Sequence, residues 1–455
     1  MEWFDAFVIG GGGTGSEVAF ALGRAGLSVG IAERDKLGGE CNHYGCVPTK
    51  VMLASAKIAA AARNAGRYGI RVPSVEVDFP AVMRRVREII DSQSGEGPKP
   101  FENQGITVFL QEARLVGPRH VDLADGTRIE AERIVLATGS EAMVPPIDDL
   151  RDGAFWTNKE AIWSPTEVPS SLAVLGSGPI VLEFAQIYSR FGSDVMVVEL
   201  AGRILPGEDE ASSVAISDAL EAEGIGLMSD TTSSRASHGP DGWQIDFEDD
   251  RHVHAEQLLV AIGRRPAFDV HDLAAAGVEL NDGGWPVLDE HLRTTADGIW
   301  AAGDATGELL FTHVGTYEAE LVVDDILGRP RERDYRVVPR VTFTEPEVGS
   351  VGLTEADARD GGRDVVTSST RFDDNERSHL EGHTFGMVKL VADAATGELL
   401  GGHIVGEGAG EMIHQVAVAM SGRLPPRVVA GTIHAYPTLS ESLRTAFVEL
   451  AGRLG

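Results

Sequence analysis

Cysteine is the scarcest reactive residue of this 455-residue chain: Cys41 and Cys46 are its only two, and four residues separate them. Two scattered cysteines would serve as small core hydrophobes. A zinc site would need further Cys or His at ligand spacing, and only His43 lies close by. A static disulfide closing so short a loop adds little to so long a chain. The pair therefore reads as one kept for redox chemistry, and no metal site is expected. Lysine is scarce too, six of 39 basic residues, and 70 acidic residues bring the net charge to −31. A surface this acidic repels nucleic acid and anionic membranes, so neither is expected as a partner. No uninterrupted apolar run reaches the length of a membrane span. The start, Met1-Glu2-Trp3-Phe4-Asp5, carries acids where a secretory signal has its basic region. The expectation is a cytoplasmic protein, and in that compartment a persistent cysteine pair is catalytic more often than structural.

Glycine, by contrast, is abundant at 54 residues, and 43% of the chain is hydrophobic, enough for about three domains with sizeable cores. Ala6-Phe7-Val8-Ile9 fits a buried parallel strand. It feeds a G-x-G-x-x-G turn at Gly10, Gly12 and Gly15, then a helical pattern from Ser16 to Ala25 and a strand, Leu27 to Ala32, ending in Glu33. That spacing predicts a βαβ unit whose glycines let the backbone approach a pyrophosphate at a helix N-terminus, with Glu33 accepting from a ribose hydroxyl. The cysteine stretch follows. Val51 to Ala65 reads as an Ala-rich helix that places Cys46 in its first turns, where a helix N-terminus favours a thiolate. Lys50, one turn later, shares that face. A polar helical stretch to Gln93, a loop from Ser94 to Pro100 and strands near Thr107–Leu110 and His120–Leu123 lead to an apolar strand ending in Thr138-Gly139. That ending suggests another close approach of backbone to ligand.

A second nucleotide unit begins at Leu172. Its strand enters Gly176-Ser177-Gly178, with Val181 where a third glycine would stand, then a helix, Leu182 to Phe191, and a strand, Asp194 to Val198, ending in Glu199. Glu199 favours NAD, because its carboxylate would bind a 2′-hydroxyl and repel a 2′-phosphate, while Arg203 nearby leaves NADP open. Leu258 to Arg264 repeats the strand-then-glycine pattern at Gly263. Gly298 to Asp304 is a short strand ending in Gly-Asp, with Asp304 free to bind a polar cofactor group. After a charged, proline-containing linker, Arg329 to Arg333, strand-like runs alternate with helical patterns as in an α+β domain without a nucleotide motif.

Together these motifs resemble the pyridine nucleotide–disulfide oxidoreductases, the group holding lipoamide dehydrogenase, glutathione reductase and mercuric reductase. The likeness rests on Gly10-x-Gly12-x-x-Gly15, Gly39-x-Cys41-x4-Cys46-Val47-Pro48-Thr49-Lys50, Ala137-Thr138-Gly139, Gly176-x-Gly178, Ala261-x-Gly263-Arg264, Ala302-Gly303-Asp304 and Phe343-Thr344-Glu345-Pro346. It covers essentially the whole chain. It implies an α/β fold of two Rossmann-like dinucleotide-binding domains and a C-terminal α+β dimerisation domain. The expected boundaries are 1–147 with 270–333 for FAD, 148–269 for NAD(P), and 334–455 for dimerisation. By the same resemblance, electrons pass from NADH through FAD to a Cys41–Cys46 disulfide. Cys46 is then the flavin-side thiolate, Cys41 the outer thiol, and Lys50 pairs with Glu183. The family forms homodimers whose C-terminal domain completes the partner's active site.

One departure stands out. Disulfide-reducing members read His-Pro-Thr near the C-terminus with a Glu a few residues on; this chain has Tyr436 before Pro437, and Glu441 is retained. An imidazole with a pKa near ~6.5 exchanges protons with thiols at neutral pH, whereas a phenol near ~10 is a poor base. His434 could substitute only if the loop placed it differently. Mercuric reductases also lack that His but carry a C-terminal Cys pair absent here. Soluble transhydrogenases share the Tyr-Pro-Thr but lack the second cysteine. The expectation is a small acceptor, a quinone or metal ion. The alternatives are a dihydrolipoamide dehydrogenase with an altered base, a transhydrogenase-like enzyme, or a low-turnover redox-sensing flavoprotein.

Overall fold

The strands Ala6–Ile9, Val29–Ala32 and Ile134–Leu136 are apolar at successive positions, so both of their faces must be covered. The computed structural model, which describes residues 2–94 and 97–455, covers them in this way. It contains two compact units. The first comprises Met1–Val51, Met83–Met143 and Gly263–Asp334, and the second Met52–Val82, Val144–Ile262 and Tyr335–Gly455.

In the first unit the strands run in the order Thr107–Phe109, Val29–Ala32, Glu2–Ile9, Arg128–Leu136, His120–Leu123, Ala113–Gly117. The long Arg128–Leu136 strand serves two neighbours on one edge. Its beginning pairs antiparallel with His120–Asp122, and its end pairs parallel with Ile299–Ala301. Ala6 and Val8 pack on one side with Val18, Ala19 and Leu22 of the Gly13–Arg24 helix, and Phe7 and Ile9 on the other with Ile134, Leu136 and Ile299. A Cβ on Gly315, in the Thr312–Ile326 helix, would lie 2.2 Å from the Thr14 hydroxyl, so only glycine lets those two helices approach this closely.

The second unit holds three sheets. One is fully parallel, in the order Gly226–Met228, Asp194–Val198, Ser171–Leu175, Gln257–Val260. Beside it in sequence is an antiparallel sheet of Ser233–Gly239, Gly242–Phe247 and His252–Ala255. The third is five-stranded and antiparallel, in the order Pro339–Thr342, Glu347–Gly352, Leu399–Gly406, Met387–Asp393, Val365–Arg371. Leu399–Gly406, its middle strand, is buried at every residue and packs under the Ala409–Ser421 helix, while the Ser440–Leu454 helix covers Val365–Arg371 and Met387–Asp393. Among the described residues no helix is long and apolar enough to cross a membrane.

Several elements differ from the sequence reading. The stretch Ser94 to Pro100, expected as a loop, is helical up to Ser94 and again from Lys99, while Gly95 and Glu96 lie outside the described residues. The helix expected from Val51 begins five residues earlier, at Cys46, because Pro48 is tolerated in a first turn whose N–H groups have no intrahelical partner. A short helix, Gly39–Tyr44, carries Cys41.

Candidate active site

The first glycine turn is shaped by backbone contacts. A Cβ at Gly10, where φ is 109°, would sit 2.1 Å from the Ala137 carbonyl oxygen, and one at Gly15 would sit 2.0 Å from that of Gly10. Gly12 and Gly13 do the opposite. A Cβ at Gly12 meets nothing nearer than 3.9 Å, and Gly13 and Gly139 have no atom within 4 Å of theirs, so the helix N-terminus opens onto free space. Glu33 closes the unit, accepting from the Gly11 N–H at 2.7 Å and the Asp35 N–H at 2.7 Å. Gly10, Glu33 and Thr138 line a cavity of about 400 Å³ with Arg34, Glu141 and Arg265. The Thr138 hydroxyl is buried without a hydrogen-bond partner. An orphaned hydroxyl beside an open glycine turn fits a bound group rich in phosphate and hydroxyl oxygens.

The two cysteines are not joined by a disulfide in this structure. Cys46 is the first residue of the 18-residue helix Cys46–Arg63, at the end whose dipole stabilises a thiolate. Cys41 is half-buried. Its hydrogen bond to Cys46 is the main cause, and burial the second, that push the Cys41 thiol far above its ordinary value; a hydrogen bond from Thr312 pulls the other way. The Thr312 hydroxyl also lies 3.6 Å from Cys46 Sγ. The loop between the sulfurs is held at both ends. The His43 ring contacts the Leu37 carbonyl at 3.0 Å, and the Thr49 hydroxyl donates to the Gly45 carbonyl at 2.7 Å. Tyr44 is pushed up to about 12, first by burial and then by its hydrogen bond to Asp35. Lys50 stands one turn beyond Cys46, half-buried.

Asp304 is not a loose turn residue. The Ser140 hydroxyl donates to it at 2.5 Å, and Arg264 donates to the same hydroxyl at 2.5 Å and to the Ser140 carbonyl at 2.9 Å. Arg264 also lies 3.3 Å from the Glu40 carboxylate, next in sequence to Cys41. Sequence reasoning quoted Arg264 only as part of a pattern and passed over Ser140 and Thr312. Gly263 falls in this same unit, its carbonyl accepting from the Met143 N–H at 2.9 Å.

In the second unit, Gly176 has φ 104° and a Cβ there would lie 2.6 Å from the Ala261 carbonyl oxygen, repeating the logic of Gly10. Gly178 precedes the Pro179–Phe191 helix with open space around its Cα. Glu199 accepts from the Ser177 hydroxyl and from the Ala201 N–H at 2.6 Å. Arg203 is committed elsewhere, donating to the carbonyls of Leu205, Pro206 and Glu208 at 3.0, 2.7 and 2.8 Å and to the Ser213 hydroxyl. Glu183, 3% exposed, accepts from the Phe343 N–H at 3.1 Å. Tyr436 is 73% exposed on a turn held by Thr438, whose N–H donates to Glu441 at 3.1 Å and whose hydroxyl donates to the Ala435 carbonyl at 2.8 Å. The His434 ring is bound to the Thr432 carbonyl at 3.0 Å. Among the described residues no group of three or more His, Cys, Asp or Glu side chains is placed to hold a metal ion.

Two glycine turns at the carboxyl ends of parallel strands, with a dithiol beside the first, define a dinucleotide-dependent redox enzyme. Comparison with known proteins narrows the class. Residues 4–319 match the pyridine nucleotide-disulphide oxidoreductase family, and residues 338–447 match that family's dimerisation domain. The chain belongs to this family of enzymes, whose members use FAD and a nicotinamide nucleotide. It is 35% identical to a dihydrolipoyl dehydrogenase of Chlorobaculum tepidum, over 99% of this chain and 98% of that protein. It is 33% identical to a mercuric reductase of Bacillus cereus, over 97% of this chain and 71% of that protein. Among solved structures, the Cu(II) complex of the HOCl-induced flavoprotein disulfide reductase RclA from Escherichia coli superposes with a TM-score of 0.88 at 29% identity, covering 97% of this chain and 99% of that one.

Proposed function

We propose that this enzyme is an NADH-driven flavoprotein reductase that passes electrons through the Cys41–Cys46 pair to a small acceptor, a metal ion or a quinone, in preference to a lipoyl group. The observation that carries the acceptor is the exposed phenol of Tyr436 where disulfide-reducing relatives place an imidazole, with His434, two residues before it, tied to its own turn. Similarity to a mercuric reductase and to a flavoprotein crystallised with Cu(II) points the same way.

FAD, when bound, supplies the two-electron relay between nicotinamide and disulfide. The chain's own residues bind and orient it. Gly10, Gly12 and Gly15 receive the pyrophosphate at the Gly13–Arg24 helix, Glu33 the ribose, and Thr138, Gly139 and Asp304 the remaining polar groups. Lys50 and Glu183 are assigned to charge balance at the flavin. Gly176, Gly178, Glu199 and Gly263 are assigned to the nicotinamide nucleotide. NADH is favoured over NADPH because Glu199 offers a carboxylate, while the Arg203 guanidinium is already spent on loop carbonyls. On this reading residues 1–147 with 270–333 bind FAD, 148–269 bind NADH and 334–455 pair with a second copy, which completes the active site. In net terms NADH and the disulfide give NAD⁺, the Cys41 thiol and the Cys46 thiolate. The thiol and thiolate with two Cu(II) then give the disulfide, two Cu(I) and one proton.

The test is NADH and NADPH oxidation by the purified yellow holoenzyme with Cu(II), Hg(II), a benzoquinone and lipoamide in parallel. Turnover with a metal or quinone and little with lipoamide is the expected result. Fast lipoamide turnover would overturn the acceptor assignment, and a preference for NADPH would overturn the coenzyme assignment.

A further inference from the structure

Thr312 is the first residue of the 15-residue helix Thr312–Ile326, and its sequence offers no reason to connect it with the cysteines, 266 positions away from Cys46. In the fold its hydroxyl lies 3.6 Å from Cys46 Sγ, within hydrogen-bond reach of that sulfur. Two helices thus begin at the dithiol, one with Cys46 and one with Thr312. We infer that Thr312 is a further catalytic residue, its hydroxyl donating to the Cys46 sulfur and holding it as the thiolate. This deepens the proposed redox role of the pair and rests on it.

The chemistry is specific about direction. When NADH reduces the disulfide, the S–S bond breaks, the electron pair goes to the two sulfurs, and the single proton stays on Cys41. The second sulfur then carries a full negative charge, which two donors stabilise, the Cys41 S–H and the Thr312 O–H. A charge-assisted hydrogen bond to sulfur favours the ionised form. The other titratable groups within one turn of the pair on these elements are Glu40, His43 and Tyr44 on the Cys41 helix, Lys50 beyond Cys46, and His313 beside Thr312. None of them is altered in the comparison below, so a change can be assigned to the hydroxyl.

The experiment is the pH dependence of the long-wavelength charge-transfer absorbance of the Cys46 thiolate in the two-electron-reduced holoenzyme, for the wild type, Thr312→Val and Thr312→Ser. Valine keeps the shape and removes the donor. The midpoint for Cys46 is expected to rise by about one pH unit in Thr312→Val, equivalent to ~1.4 kcal/mol. At pH well below the midpoint the thiolate fraction then falls roughly tenfold, and Thr312→Ser restores the wild-type profile. Overlapping wild-type and Val profiles would overturn the inference, as would a Ser profile that follows Val. If the Val protein does not accumulate, the Ser and Thr312→Ala profiles decide by the same criterion. Failure of the underlying reading is seen separately: Cys46→Ser with undiminished NADH-to-acceptor turnover would dismiss the redox pair whatever Thr312 does.

Discussion

Replacing Tyr436 by histidine asks whether the missing imidazole decides the acceptor. The turn that carries the side chain is held by Thr438 and Glu441 through groups that the substitution leaves in place, so the fold of the chain should change little. Dihydrolipoamide oxidation needs a base to take a thiol proton. At pH 7.5 an ordinary imidazole is roughly 90% in its basic form and an ordinary phenol roughly 0.3%, a ratio of about 300. The rare phenolate is the stronger base, and a Brønsted slope near ~0.5 returns about 50-fold of that advantage. Tyr436→His is therefore expected to raise kcat/KM for dihydrolipoamide by between roughly 5- and 300-fold, with a new acidic limb in the pH profile near ~6.5. Turnover with Cu(II) or quinone should change little. The assay is NAD⁺ reduction by dihydrolipoamide against pH, with flavin content and oligomeric state as controls. A gain below about twofold in a correctly loaded protein would refute the argument that the phenol is what blocks proton transfer.

Two further predictions concern the second unit. Glu199→Ala removes the carboxylate assigned to the ribose. The KM for NADH is expected to rise roughly 10- to 150-fold, the worth of a hydrogen bond to a charged group, while that for NADPH does not rise; equal losses for both coenzymes in steady-state kinetics would refute the assignment. His403 is fully buried between the Ser350 hydroxyl, at 3.3 Å, and the Leu353 carbonyl, at 3.1 Å, with Asp209, Glu208 and Arg340 acting on it electrostatically. Burial, the largest influence, pulls it below its ordinary 6.5. The unfolded chain then takes up a proton near that value and the folded protein does not. Stability is intact above pH ~6.5 and falls as the pH drops towards the folded value. Thermal melts from pH 8 to 5 should show wild-type Tm falling relative to His403→Gln, and parallel curves would exclude this source of acid sensitivity.

The nucleotide turns were legible because their constraint is local. Gly10 and Gly176 occupy positive φ and face a carbonyl oxygen across the turn, and no other residue satisfies both conditions. Strands buried on both faces, such as Ala6–Ile9, announce themselves as unbroken apolar runs. The antiparallel sheet from Ser233 to Ala255 did not, because Ser233, Ser234 and Arg235 show no apolar alternation and become strand only through pairing with Gly242–Phe247. The Cys41 helix escaped for a related reason: six residues starting after Gly38, at φ 94°, are too few to show a period. At the site, residues that touch a ligand through the backbone carry a motif. Those that act by tertiary contact, Ser140 on Asp304 and Thr312 beside Cys46, come from distant segments and carry none.

The turn that holds Tyr436 bears on the same question from the side of assembly. Ile433 is 97% exposed, three residues before the 73% exposed Tyr436. Neither belongs to a frayed end. Asn375 donates to the Thr438 carbonyl at 3.1 Å and Gln415 to the Ser440 hydroxyl at 2.8 Å, so the segment is pinned to the body of its unit from two directions. Val428 and Val448, on the flanking Pro426–Gly431 and Ser440–Leu454 helices, are 45% and 46% exposed. A rigid turn that presents large apolar side chains to water loses the hydrophobic gain of each one unless another surface covers them. In a chain carrying the family's dimerisation domain over residues 338–447, a second copy is the surface of matching chemistry. On that reading Tyr436 is exposed only in the isolated chain, and the acid/base properties of position 436 act on the partner's thiols rather than on its own.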